Sequence, residues 1–103
     1  MSGAWTEADI PRINPQRVVR MRELLVASLA PTALEITDDS YKHAGHAGAR
    51  QGQGHFSINV VSTAFEGKPP LSRHRLVYAA LGDLMRTDIH ALVIRASTPE
   101  ESH

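Results

Sequence analysis

The segment H-F-S-I-N-V-V-S at residues 55–62 decides the fold, because its first six side chains alternate between polar and apolar. Successive side chains of a β-strand point to opposite faces of the sheet. We therefore expect Phe56, Ile58 and Val60 to face a core, and the polar residues between them, beginning with His55, to face outward. This pattern is typical of a sheet that is covered on one side.

The sequence before this strand predicts a helix and a further strand. Apolar residues recur at steps of three and four from Gln16 to about Leu29, so one stripe of this helix should be buried. Asn14 is the expected N-cap, with Pro15 in the first helical position. The segment A-L-E-I-T at residues 33–37 alternates in polarity and is predicted to be a strand that pairs antiparallel with the strand at residues 55–62.

The sequence after this strand predicts the remaining elements. Phe65–Leu71 contains a glycine and two prolines, which indicates a turn or a short helical piece. Ser72 is the expected cap of a helix that runs to about Met85, with Gly82 inside it marking close packing. Ile89–Ala96 is predicted to be a strand that is apolar on both sides, as expected of a strand that neighbours cover or flank.

These elements predict one α+β domain. The order α-β-β-α-α-β places helices over one face of a three-stranded sheet, which is mixed if a helical crossover makes the last two strands parallel neighbours. Residues 1–14 are expected to form a flexible N-terminal arm, residues 15–99 the domain and residues 100–103 a tail. The type II KH fold has this order, but residues 67–70, G-K-P-P, replace the G-x-x-G loop with which KH modules clamp nucleic acid.

The composition excludes several classes of function. The 103 residues include no cysteine, which excludes disulfides, thiolate catalysis and a self-contained zinc–thiolate or iron–sulfur site. Eleven basic residues balance eleven acidic ones, so net charge gives no general attraction to DNA or anionic lipid. No apolar run approaches the roughly 20 residues of a membrane span, and Glu7 and Asp9 stand where a signal peptide carries cations. We expect a cytoplasmic protein without a membrane partner.

Histidines on the loop between the first two strands are candidates for metal binding. His43 and His46 form H-x-x-H within the glycine-rich residues 38–54. Neutral imidazole is a common metal ligand, and a pliable loop can bring two rings to one ion. The same spacing is also common for solvated loop side chains, so the pattern alone leaves both interpretations open.

Two further histidines lie on predicted regular elements. His90 opens the last strand on the parity of Leu92, at the border between core and solvent, where a backbone carbonyl could also satisfy its ring. His74 shares a helical face with Val77 and Leu81, so we expect it to pack under the edge of the sheet. No serine or carboxylate stands in a nucleophile motif and no phosphate-binding loop follows a strand, so we expect no enzymatic activity.

Several motifs together resemble the BolA family over about residues 17–99. The resemblance implies a type II KH-like fold. It rests on an ordered set of segments: L-E-I-T-D-D-S-Y-K-H at 34–43, H-F-S-I-N-V-V-S at 55–62, F-E-G at 65–67, R-H-R-L-V-Y at 73–78, I-H-A-L at 89–92 and A-S-T-P at 96–99.

The resemblance implies a heterodimer with a monothiol glutaredoxin, in which the two proteins share a bridging [2Fe-2S] cluster. The glutaredoxin supplies its own cysteine and the thiolate of a bound glutathione, and the BolA-like chain supplies the histidine of its H-A-L motif, here His90. A second ligand comes from the loop after the first strand, for which His43 is the match and His46 a substitute. The implied role is iron sensing or iron–sulfur cluster trafficking.

An alternative function is DNA-binding transcriptional regulation, which the resemblance also implies for some family members. Lys68, Arg73 and Arg75 would supply a small basic cluster at the start of the long helix. The same three cations are also compatible with a solvated helix start, where they oppose the helix dipole. The sequence leaves open whether the chain forms a homodimer by itself.

Overall fold

The computed structural model describes residues 10–39 and 54–102 of the chain. The elements are the helix α1 (Ile10–Leu29), the strands β1 (Ala33–Asp38) and β2 (Gly54–Val61), a 3-10 turn (Thr63–Phe65), the helices α2 (Pro70–Leu81) and α3 (Leu84–Thr87), and the strand β3 (Ile89–Ser97).

The three strands form one mixed sheet in the order β1-β2-β3. β1 pairs antiparallel with β2, with Ile36 opposite Ile58. β2 pairs parallel with β3, with Ile58 opposite Ile94. The crossover through α2 and α3 makes this parallel pairing geometrically feasible. The predicted α+β architecture is therefore confirmed.

The core lies between one face of the sheet and the helices. Residues at helical spacing on α1 and α2 meet alternate residues of β2, as the two periodicities predict. The 3-10 turn adds Phe65, which is fully buried. The buried core comprises Met21, Leu25, Leu29, Phe56, Ile58, Val60, Phe65, Val77, Leu81 and Ile89.

The start of α1 corrects one prediction. The helix begins at Ile10, so Asn14 is not its N-cap and Pro15 lies inside it. Residues 10–14, predicted to belong to the flexible arm, are helical. Proline is favoured in the first turn because its missing N–H has no helical acceptor there. Pro11 satisfies that rule in the structure, and the prediction selected the wrong one of two prolines.

The two ends of α2 correct two further predictions. The helix begins at Pro70 with Pro69 as its N-cap, so Ser72 lies inside the first turn rather than capping it. Gly82 ends the helix with φ +56° and ψ −128°, and a Cβ built there meets no atom within 4 Å. Gly82 is therefore required by backbone conformation, and the predicted close packing at this position is wrong.

β3 is an edge strand with one uncovered face. The sequence predicted a strand that neighbours cover or flank; β2 flanks β3 on one side, but one face of β3 is not covered, because Val93 is 68% exposed and Ala91 and Arg95 are exposed beside it. Leu92 and Ile94 point to the opposite face and pack against the core. An apolar side chain on the open face is what made both faces look buried in the sequence.

Candidate functional site

One end of the sheet collects the chain segments that carry the candidate histidines. β1 ends there at Asp38, while β2 and β3 both begin there. The Gly54 N–H donates to the Asp88 carbonyl oxygen at 2.8 Å, and the Asp39 N–H donates to the His55 carbonyl oxygen at 2.8 Å. One end of the 40–53 segment is therefore held at the residue before β3, and the other end is held at the beginning of β2. His43 and His46 belong to that segment and lie outside the described residues.

The backbone at His90 departs from a regular strand. Gly54 is opposite Ile89, but the next residue of β2, His55, is opposite Ala91, so β3 has an additional residue at this point. Such a bulge changes the parity of the strand. Ile89 and Leu92, three residues apart, both contribute to the core. Parity cannot be counted through this bulge, and the side chain of His90 lies outside the described residues, so the orientation expected for it stays a prediction.

Asp88 holds the backbone directly before this bulge. Its Oδ2 accepts a hydrogen bond from the Arg17 Nε at 3.0 Å, and its Oδ1 accepts one from the Thr87 hydroxyl at 2.6 Å. Its N–H donates to the Leu84 carbonyl oxygen at 2.9 Å. Together with the bond to Gly54, these contacts join α1, α3 and β2 two residues before His90. The backbone at the candidate ligand is thus anchored from three elements.

His55 lies at the same end of the sheet. It was predicted to point outward from the core, yet it is only 7% exposed. The rest of the outward face of β2 is not buried, since Ser57 is half-buried and Asn59 is exposed. The Ser57 hydroxyl donates to the Asp39 Oδ2 at 2.7 Å. Alternation along β2 does not distinguish His55 from Ser57 and Asn59, so the sequence pattern could not have predicted this burial.

The donor chemistry at this end is restricted to nitrogen and oxygen. The sequence has no cysteine. Within the described residues, no three histidine, aspartate or glutamate side chains are grouped closely enough to hold a metal ion. His74 is half-buried on α2 and is separate from this end of the sheet in the chain's topology.

In the predicted basic cluster of Lys68, Arg73 and Arg75, the guanidinium of Arg73 is already hydrogen-bonded to other groups of the chain. Arg73 Nη1 and Nη2 donate to the two carboxylate oxygens of Glu101 at 2.6 and 3.1 Å. Its Nε donates to the Lys68 carbonyl oxygen at 2.7 Å, and Nη1 also reaches the Ala96 carbonyl oxygen at 3.2 Å. Lys68 and Arg75 are exposed.

The carboxylates around Arg73 offset its charge. The hydrogen bond from Arg73, and a second from the Thr98 N–H, lower the pKa of Glu101 to about 2. Glu66, Glu100 and Glu101 line the same surface depression as Arg73. A phosphate group approaching Arg73 would meet three carboxylates, which disfavours strong phosphate binding at this point.

The fold and the histidine-bearing end of the sheet define a class: a small α+β domain with a three-stranded mixed sheet and type II KH-like order. A family model described as BolA-like protein matches residues 25–101. The chain belongs to the BolA-like protein family.

Individual relatives agree with this assignment. The chain is 47% identical over 89 residues to Protein BOLA1, chloroplastic, of Arabidopsis thaliana, covering 84% of this chain and 56% of that protein. It is 47% identical to SufE-like protein 1 of the same plant, covering 82% of this chain but only 24% of the relative. It is 38% identical to the DNA-binding transcriptional regulator BolA of Escherichia coli, covering 80% of this chain and 75% of that protein. The chain thus spans about half or less of the plant relatives.

Solved structures share the fold. The BolA domain of SufE1 from Arabidopsis thaliana superposes with a TM-score of 0.73 at 47% identity, covering 82% of this chain and 94% of that domain. BolA1 from Mus musculus gives a TM-score of 0.67 at 41% identity, covering 81% of this chain and 65% of that protein. None of the helices in the described part of the chain has the length and hydrophobicity that crossing a bilayer requires.

Proposed function

We propose that this BolA-like chain forms a heterodimer with a monothiol glutaredoxin and contributes histidine ligands to a bridging [2Fe-2S] cluster. His90 is the principal ligand, and His43, or His46 in its place, is the second. The glutaredoxin and its glutathione supply the thiolates. The role is iron sensing or the delivery of iron–sulfur clusters in the cytoplasm, with no enzymatic turnover by this chain.

The observation that carries the proposal is the convergence at one end of the sheet. His90 is 44 or more residues from the two loop histidines in sequence, yet the residue after the 40–53 segment, Gly54, is hydrogen-bonded to Asp88 directly before β3. The residue before that segment, Asp39, is hydrogen-bonded to His55 on the neighbouring strand β2. Metal ligands from distant parts of a chain must meet in this way. The anchoring of Asp88 by Arg17 supports the same function, since a ligand holds a metal best on a backbone that does not move.

The donor set agrees with a shared cluster. Imidazole nitrogen can replace thiolate on one iron of a [2Fe-2S] cluster, and it raises the reduction potential of the cluster. A chain without cysteine cannot hold such a cluster alone, which is consistent with the need for a thiolate-bearing partner. The cluster's own chemistry is electron storage and transfer of iron and sulfide. The chain's residues serve to bind and orient it.

Titration of a cluster-loaded monothiol glutaredoxin homodimer with this chain tests the proposal, with visible circular dichroism as the measurement. We expect a new spectrum at one-to-one stoichiometry with the unmodified chain and none with His90→Ala. His103→Ala is the matched control and should behave as the unmodified chain. His43→Ala and His46→Ala, measured separately, identify the second ligand. An unchanged spectrum with the unmodified chain would refute the proposal.

DNA-binding regulation is the second candidate, favoured by the name of the Escherichia coli relative. It would use Lys68, Arg73 and Arg75. The ion pair of Arg73 with Glu101 weighs against that surface, because the guanidinium already has carboxylate and carbonyl partners. DNA affinity that falls steeply with salt, and that Lys68→Ala with Arg75→Ala abolishes, would favour this function over the first.

A further inference from the structure

We propose that the ion pair between Arg17 and Asp88 positions the backbone that presents His90 and so controls how firmly the cluster is held. Arg17 and Asp88 are then positioning residues, not ligands. This inference rests on the proposed cluster-binding function and deepens it, because it gives the helix α1 a role at the ligand.

His90 is the residue of β3 that has no register partner on β2. Gly54 is opposite Ile89 and His55 is opposite Ala91, so the additional residue of the bulge is the candidate ligand itself. A bulge leaves its extra residue unpaired and interrupts the ladder of hydrogen bonds, and such bulges commonly re-aim a side chain at a functional site. Strand pairing alone therefore does not fix the backbone at residue 90, and other contacts have to hold it.

Asp88 makes those contacts on the N-terminal side of the bulge. Its carbonyl oxygen accepts from the Gly54 N–H at 2.8 Å, and its N–H donates to the Leu84 carbonyl oxygen at 2.9 Å. Its Oδ1 accepts from the Thr87 hydroxyl at 2.6 Å, and its Oδ2 accepts from the Arg17 Nε at 3.0 Å. The main-chain polar groups and both carboxylate oxygens of Asp88 are thus all engaged just before the candidate ligand.

The bond from Arg17 connects this point to α1. The two residues are 71 positions apart in sequence, and the Arg17 side chain is only 13% exposed. Immobilising an arginine costs rotamer entropy, and removing its charge from water costs solvation. Asp88 is also the C-cap of α3, where a carboxylate is unfavourable toward the helix dipole. The ending of α3 therefore does not account for this pair, whereas the positioning of the next residues does.

Loss of the pair should weaken cluster retention without preventing the heterodimer. Residues that orient a metal ligand without touching the metal commonly change metal affinity by about 10–100-fold. Arg17 acts through the backbone of residues 88–90 and not on the imidazole itself. We therefore expect an effect at the lower end of that range.

The rate of cluster loss to a chelator, measured on the heterodimer with the glutaredoxin, tests the proposal. We expect Arg17→Met to lose the cluster about tenfold faster than the unmodified chain and to change the shape of its visible circular dichroism. Arg17→Lys keeps a cation at this position and should recover part of both properties. Arg17→Met combined with Asp88→Asn should be no worse than the worse single variant, because the two residues act as one unit.

Ser62→Ala is the matched control, because it weakens the fold at the opposite end of β2. The Ser62 Oγ donates to the Leu29 carbonyl oxygen at 2.6 Å, far from Asp88 along the strand. Its rate of cluster loss should stay within about twofold of the unmodified chain, since distant sites act independently. In the cluster-free chain, the amide resonances of residues 88–91 should shift in Arg17→Met and stay in place in Ser62→Ala.

Equal rates of cluster loss for Arg17→Met and Ser62→Ala, with the same dichroism as the unmodified chain, would overturn the proposal. The pair would then only stabilise the fold. Absence of a cluster spectrum with the unmodified chain would instead refute the proposed function, and this inference with it, so the two failures are distinguishable.

Discussion

Arg73 and Glu101 form a two-point ion pair that joins the first turn of α2 to the residues after β3, with N···O distances of 2.6 and 3.1 Å. Glu101 Oε1 also accepts from the Thr98 N–H at 2.9 Å. The planar guanidinium matches a carboxylate in a way that an ammonium group cannot. These contacts connect α2 to the polar segment that follows the sheet.

The first prediction concerns acid stability. The pKa of Glu101 is lowered from 4.5 to about 2, so the pair stabilises the fold above pH 4.5 and loses that contribution as the pH falls toward about 2. Glu101→Gln should lower the melting temperature at pH 7, and the difference from the unmodified chain should vanish near pH 2. Glu100→Gln, an exposed neighbour, is the control. A difference that is independent of pH would contradict the ion-pair explanation.

The second prediction concerns the anchor of β3. Arg17→Met keeps the aliphatic stem but removes the bond to Asp88, and should lower the free energy of unfolding by about 1–2 kcal/mol. Hydrogen exchange at the Gly54 amide, which is bonded to the Asp88 carbonyl oxygen, should become faster. The matched control is Arg20→Met, since Arg20 is 60% exposed and 3.7 Å from Glu23, and we expect at most about 0.5 kcal/mol there. Equal losses in both variants would contradict the proposed anchor.

The third prediction concerns a buried hydroxyl. Ser62 is fully buried, and its Oγ donates to the Leu29 carbonyl oxygen at 2.6 Å and accepts from the Ala64 N–H at 3.0 Å. Ser62→Ala leaves both groups unsatisfied and should cost about 1–3 kcal/mol in denaturant unfolding. Thr63→Ala, at the exposed neighbouring position, should cost far less. A comparable loss in the two variants would show that the buried bonds contribute little.

The fourth prediction compares two residues with positive φ. Gly82→Ala should cost about 1–3 kcal/mol through backbone strain alone, because a Cβ there has open space around it. Ala30 has φ +44° directly after α1, so Ala30→Gly should stabilise the chain by about 0.5–1 kcal/mol. Thermal unfolding of both variants measures these opposite signs. A neutral Gly82→Ala would show that the turn adjusts without strain.

Much of the fold could be predicted from local patterns. The alternation of Phe56, Ile58 and Val60 and the helical spacing of Met21, Leu25 and Leu29 each depend only on residues near in sequence. Their buried positions agree with the predictions. One error falls where two local signals compete, at Pro11 and Pro15 near the start of α1. Either proline is compatible with the first turn of a helix. Only the structure shows that Pro11 lies in the first turn of α1 and that Pro15 lies inside the helix.

By itself, the sequence determined the α+β class, the order of the elements and the exclusion of cysteine-based chemistry. Periodicity depends only on residues that are close in sequence, and composition requires only a count of residue types. The tertiary structure decided the bulge at His90, the burial of His55 and the pairing of Arg73 with Glu101. Each of these depends on the register between strands or on a partner at least 28 residues away. Such features arise only when distant backbone groups and charges find each other in space, so no local pattern can encode them.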